Sequence, residues 1–151
     1  MFRGEYSQKM DTKGRTIVPA KFREELNGSI VVTRGLDGCL FAYSKEAWEA
    51  LEEKLSNLPF ADKKVRDFNR FFLAGASDLE TDKLGRILMP SVLRGFASLD
   101  KEVVWAGVGN RIEIWDIDKW NEKMSAYIMG GDEESESSIE DVAEYLASMG
   151  V

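Results

Sequence analysis

The apolar residues of this chain fall first into short β-branched runs closed by glycine and proline, and later into stripes at helical spacing. Residues 2–10 read as a strand leading to a turn, and Thr16-Ile17-Val18 leaves that turn as a second strand. Pro19 then starts a short helix that carries Phe22 and Leu26 on one face, and Asn27-Gly28 stops it. Residues 29–34 and 39–43 are apolar runs around Gly35-Leu36-Asp37-Gly38, whose Asp-Gly pair predicts a hairpin. Ser44 caps a longer helix with Trp48, Leu51, Leu55 and Leu58 as its apolar stripe, and Pro59 ends or bends it. Asp62 caps the next helix, which carries Val65, Phe68, Phe71 and Phe72. Aromatic stripes of this kind are expected as core or interface packing, not as a cofactor box.

The second half repeats the first. Asp11-Thr12-Lys13-Gly14-Arg15 returns as Asp82-Lys83-Leu84-Gly85-Arg86, and Asp, Gly, Arg and the following Pro19 and Pro90 all recur at an offset of 71 positions. Pro90 opens a helix with Leu93, Phe96 and Ala97 inward, and a second hairpin is expected around Gly107-Val108-Gly109-Asn110. Gly14 and Gly85 permit a positive backbone angle at a tight turn, while Pro19 and Pro90 suit a first helical position. Each turn therefore presents one arginine at a fixed place. A pseudo-twofold axis between the repeats would point Arg15 and Arg86 in one direction, as two arms reading one groove require.

Composition narrows the chemistry. The chain has no histidine and a single cysteine, Cys39, which removes Ser-His and Cys-His nucleophiles, an internal disulfide and a cysteine-based zinc site. The short glycine pairs fit turns better than phosphate-binding loops. Carboxylate chemistry remains open, although nothing marks a pair, so no enzyme activity, cofactor or small-molecule substrate is expected. With no apolar run long enough to span a bilayer and no apolar leader, a cytoplasmic protein is expected.

The net charge of -7 runs against nucleic-acid binding, but the charge is unevenly placed. Residues 1–23 carry Arg3, Lys9, Lys13, Arg15, Lys21 and Arg23 against Glu5 and Asp11. Residues 132–144 carry Asp132, Glu133, Glu134, Glu136, Glu140, Asp141 and Glu144 with no lysine or arginine, which accounts for the whole deficit. Gly130-Gly131 and the run from Asp132 to Ser138 read as a flexible acidic linker, after which Ser138 and Asp141 fit a capping box for a short terminal helix. Ile139, Val142, Ala143 and Leu146 share one face of that helix, which needs a partner because so short a helix is marginal alone. Arg15 and Arg86 have two readings on residues alone: each pairs with its own Asp11 or Asp82 and closes the loop, or each reaches outward to a ligand.

Two Asp-x-x-Gly-Arg turns, each followed by a proline-started helix and a hairpin, resemble the MraZ family over residues 1–128. The resemblance implies an α+β, β-rich fold of the AbrB-like swapped-hairpin class, in which two pseudo-twofold-related β-β-α-β-β repeats in one chain form a small barrel with linking helices. The corresponding division is repeat 1 over residues 1–47, linker helices over 48–72, repeat 2 over 73–119, and a C-terminal helix with acidic tail over 120–151. It implies a DNA-binding transcriptional regulator of the bacterial cell-division and cell-wall gene cluster, including its own promoter. The implied partners are double-stranded promoter DNA with repeated elements and other copies of the chain in a ring, which places the protein at the nucleoid.

On that resemblance Arg15 and Arg86 are DNA contacts, Asp11, Gly14, Asp82 and Gly85 set the loops, and Lys13, Lys83 and Lys9 are further DNA-binding candidates. For the lysines and Arg23 an ordinary solvated surface serves at least as well, and Arg94 is equally well structural. Arginine suits the role because its planar fork pairs with guanine O6 and N7 or with phosphate oxygens. The acidic balance keeps a second class open, a ring-forming structural or protein-interaction scaffold without direct DNA binding.

Overall fold

The computed structural model describes residues 1–130 and 138–151, so the linker expected over 132–138 lies, apart from its last residue, outside the described residues. The elements are β1 (Phe2–Lys9), β2 (Arg15–Ile17), α1 (Ala20–Leu26), β3 (Ser29–Arg34), β4 (Leu40–Tyr43), α2 (Lys45–Ser56), α3 (Lys63–Phe72), β5 (Ser77–Glu80), β6 (Arg86–Leu88), α4 (Ser91–Phe96), β7 (Glu102–Gly109), β8 (Ile112–Asp116), α5 (Ile117–Met129) and α6 (Ile139–Ser148). The fold is mixed α+β and rich in strand. Residues Met1–Asp116 form one compact unit and Ile117–Val151 a second.

In the first unit the strands form a six-stranded antiparallel sheet in the order β1-β7-β8-β4-β3-β5, together with a separate two-stranded ribbon of β2 and β6. The pairing crosses between the sequence repeats. β1 pairs with β7, β5 pairs with β3, and the two hairpins meet at β4 and β8. Side chains alternate between the faces of a strand, so β4 is buried on both: Leu40 and Ala42 look one way, Phe41 and Tyr43 the other. The first face joins Phe2, Val18, Phe22, Leu26, Ile30 and Val32 with Ile87, Met89, Leu93, Val103, Trp105, Ile112 and Ile114 in one core. The core draws its side chains from both repeats.

The other face of the first hairpin is covered by α2 and α3. Trp48 and Phe72 meet at 5.4 Å between ring centroids, and Phe72 reaches Tyr43 at 6.3 Å and Phe41 at 6.5 Å. The expected stripe on α2 stops at Leu55, since Asn57 caps the helix and Leu58 lies exposed beyond it. Ser44 accepts from the Ala47 N–H at 3.2 Å and Asp62 from the Lys64 N–H at 2.9 Å, so both expected caps form. Thr33 and Arg34 then hold the far end of α3: the Thr33 hydroxyl donates to the Phe72 carbonyl at 2.6 Å and Arg34 Nη1 to the Phe71 carbonyl at 2.9 Å.

Two expectations shift by a residue or two. Pro19 and Pro90 are caps and not first helical residues, because each has an extended ψ on leaving its strand and its carbonyl already accepts the first helical bond. The second hairpin turns at Gly109-Asn110, with the Val108 N–H donating to the Arg111 carbonyl at 3.0 Å, so Gly107 belongs to the strand. It faces Gly4 across the β1–β7 pair, where a Cβ would collide with the backbone of Phe2 and Arg3. In the second unit Ser138 accepts from the Asp141 N–H at 3.3 Å, which is the helix-capping half of the expected box, and α6 has no buried residue.

Thr33→Val keeps the shape of a fully buried side chain and leaves the Phe72 carbonyl without its donor. A loss of about 1 to 3 kcal/mol of stability is expected, read as a lower urea midpoint at unchanged slope.

Candidate nucleic-acid interface

Each repeat builds its turn around one carboxylate. Asp11 Oδ1 accepts the backbone N–H groups of Lys13 at 3.0 Å and Arg15 at 2.8 Å, while Oδ2 accepts Arg15 Nε at 2.7 Å. Asp82 does the same for Leu84 at 2.9 Å, Arg86 at 2.8 Å and Arg86 Nε at 2.8 Å. The backbone closes each loop in parallel, through Asp11 N–H to Arg15 and Gly14 N–H to Asp11 at 3.0 Å, and through the equivalent bonds at 2.9 and 3.0 Å in the second copy. The aspartate thus fixes a backbone bend and the side chain that leaves it.

The reading in which each arginine pairs with its own aspartate is the one these bonds make. The Nε edge of each closes the loop, and among the described residues no hydrogen bond or ion pair engages the Nη groups. Arg15 and Arg86 keep 37% and 31% of their side-chain surface exposed.

The ribbon brings them together. Arg15 lies opposite Leu88, Thr16 opposite Ile87, and Ile17 opposite Arg86. Thr16 and Ile87 are buried, so Arg15, Ile17, Arg86 and Leu88 share the outer face. The arginines occupy diagonal corners of that face, a relation that places backbone positions roughly 7 to 8 Å apart. Val18 N–H to Gly85 and Met89 N–H to Gly14, at 2.9 and 2.8 Å, stitch each strand end to the other repeat's turn.

The remaining candidates separate. Lys13 and Lys83 are exposed on the two turns, at opposite ends of the antiparallel ribbon. Lys9 lies on β1 with Glu102 as its cross-strand neighbour, not on the ribbon. Gly14 and Gly85 have φ of 94° and 78°, as the turn requires, and each is also covered by an arginine from the opposite repeat. A Cβ on Gly14 would lie 2.6 Å from Arg94 Nε, and one on Gly85 would collide with Arg23 Nη1. Arg94 Nε donates to the Met89 carbonyl at 3.0 Å and Arg23 Nη1 reaches the Leu84 carbonyl at 3.5 Å. Arg23 and Arg94 are thus part of the frame behind the turns. Their shared offset of 71 positions was the available signal; that each crosses to the other repeat was not. Sequence reasoning also passed over Ile17 and Leu88, whose outward aspect depends on the register.

The backbone N–H and guanidinium of Arg15 hold the Asp11 carboxyl below the usual aspartate range against an opposing desolvation cost, and Arg86 does the same for Asp82. Among the described residues no group of three or more His, Cys, Asp or Glu is placed to hold a metal ion.

Comparison with known proteins follows the repeat. The chain matches the family model described as "MraZ protein, putative antitoxin-like" over residues 1–71 and again over residues 72–141. A protein of Acetivibrio thermocellus named Transcriptional regulator MraZ is 51% identical over 151 residues, covering 100% of both chains.

A carboxylate with a lowered pKa contributes stability that is complete above its unfolded value and is lost as pH falls through the folded one. Carboxyl NMR titrations of Asp11 and Asp82 are expected to have midpoints below the ordinary aspartate value, with the amide signals of Arg15 and Arg86 moving in step. Gly14→Ala and Gly85→Ala are expected to cost about 1 to 3 kcal/mol each for the positive φ, with a further loss wherever Arg94 or Arg23 is displaced, measured by thermal unfolding.

Proposed function

Because this chain belongs to the MraZ family, we propose that it is a transcriptional regulator, not an enzyme, that binds double-stranded DNA sequence-specifically through its β2–β6 ribbon. The observation that carries this reading is the pair of arginines on one open face, each held at Nε and open at Nη. The major groove admits a two-stranded ribbon, and an arginine fork pairs in bidentate fashion with guanine O6 and N7. Lys13 and Lys83, with Lys9 further off, supply phosphate contacts at the margins.

The crossed pairing of the strands supports a swapped-hairpin barrel of the AbrB-like class, with repeats over residues 1–47 and 73–119 flanking the helices of 48–72. Two arginines make a small footprint for one chain. We therefore read the working form as a homo-oligomeric ring that engages repeated promoter elements at the nucleoid, its own promoter and the cell-division and cell-wall cluster among them, so that linked weak contacts act as one strong one.

The acidic total favours a second reading, a protein-interaction scaffold. Fluorescent duplex titrated at two salt concentrations separates them, since a scaffold gives no salt-sensitive binding. Arg15→Ala and Arg86→Ala are each expected to cost about 1 to 3 kcal/mol per lost bidentate contact, in gel shifts on the chain's own upstream region. Binding that is unchanged in both variants overturns the proposal.

A further inference from the structure

The outer face of the ribbon carries two aliphatic side chains that the core does not account for. Ile17 and Leu88 are 42% and 56% exposed, whereas the inward position beside Ile17 is the polar Thr16, buried with its hydroxyl unpartnered. The usual order of a half-buried strand, apolar inside and polar outside, is thus inverted in β2. Isolated exposed aliphatics are ordinary on protein surfaces. These two are not isolated: they recur at the same offset as the arginines, and each stands directly across from one, Ile17 from Arg86 and Leu88 from Arg15.

The face is a small checkerboard of guanidinium and hydrocarbon. Its cationic corners call for an anionic partner, and its aliphatic corners for methyl groups at the same depth. The major groove supplies both, since guanine presents two acceptors and thymine presents a C5-methyl group. Resting on the DNA-binding reading above, we infer that Ile17 and Leu88 determine specificity by packing on thymine methyl groups next to the bases read by Arg15 and Arg86.

Replacing thymine by deoxyuridine removes that methyl and leaves the pairing edge intact. The probe is a labelled duplex that the full-length wild-type chain selects from a random pool, prepared in thymine and in uracil form. The uracil form is expected to bind wild type about 4-fold more weakly per lost methyl contact, with an unchanged salt slope. The Ile17→Ala/Leu88→Ala variant is expected to bind both forms alike, at or below the wild-type affinity for uracil DNA. Salt-sensitive binding with no thymine preference in wild type, or a preference that survives in the variant, overturns this inference and leaves the arginine reading standing. A variant that changes oligomer size but keeps the preference assigns the two aliphatics to a contact with a second copy instead. Failure to select any duplex sinks the DNA-binding reading itself.

Discussion

One carboxylate in each turn sets the geometry on which the exposed face depends. With two oxygens it accepts two backbone N–H groups and one guanidinium N–H, which couples the bend of the chain to the direction of the arginine. The exposed ion pair contributes little to stability, since solvent screens it. Its effect is on freedom. An unrestrained arginine carries about 2 kcal/mol of rotamer entropy, and a side chain already held at Nε has less to lose when a ligand takes the rest of the fork.

The distance between the two forks is set by strand register and not by a tether. β2 and β6 come from different repeats, each turn is bonded to the other repeat's strand end, and the buried Thr16 and Ile87 fix the facing. A slip of one residue in either strand would turn that strand's arginine into the core. The crossed core makes that slip costly, because Phe22 and Leu26 of one repeat and Leu93 of the other pack into the same cluster. The frame also explains the turn glycines twice over: they take a positive φ, and they leave room for Arg23 and Arg94 from across the repeat boundary.

What the sequence could convey follows from the range of each signal. Local signals were legible: Asp37 and Gly38 do take positive φ at the first hairpin, Asn27 ends α1 in the left-handed region, and Ser44 and Asp62 cap the helices that follow them. The duplicated Asp-x-x-Gly-Arg pattern revealed a pair of equivalent turns because four residue types recur at one spacing. Long-range placement was hidden. Gly107 reads as a turn residue until β1 is laid against it, and Arg23 reads as a surface cation until the second repeat's turn is placed over it. The pairing of Arg15 with its own aspartate turns on atoms too fine for a sequence to show: Nε makes the bond, and the proposed outward role is left to Nη.

The net charge then ceases to be an objection to a polyanionic ligand. At physiological ionic strength a charge is felt over about 8 Å, so what a duplex would meet is the local set of Arg15, Arg86, Lys13 and Lys83, offset by Asp11 and Asp82 beside the arginines, and not the sum over the chain. That set is small. Each neutralised phosphate contributes one released counterion to the salt dependence, so a single ribbon with so few cations has little affinity independent of sequence. On the proposed reading, base contacts by the two arginines would supply discrimination and the few lysines only weak holding. In the proposed assembly strength would come from repetition of the ribbon along the DNA, and a rigid register would make repetition effective, since every copy would present its two forks at the same separation.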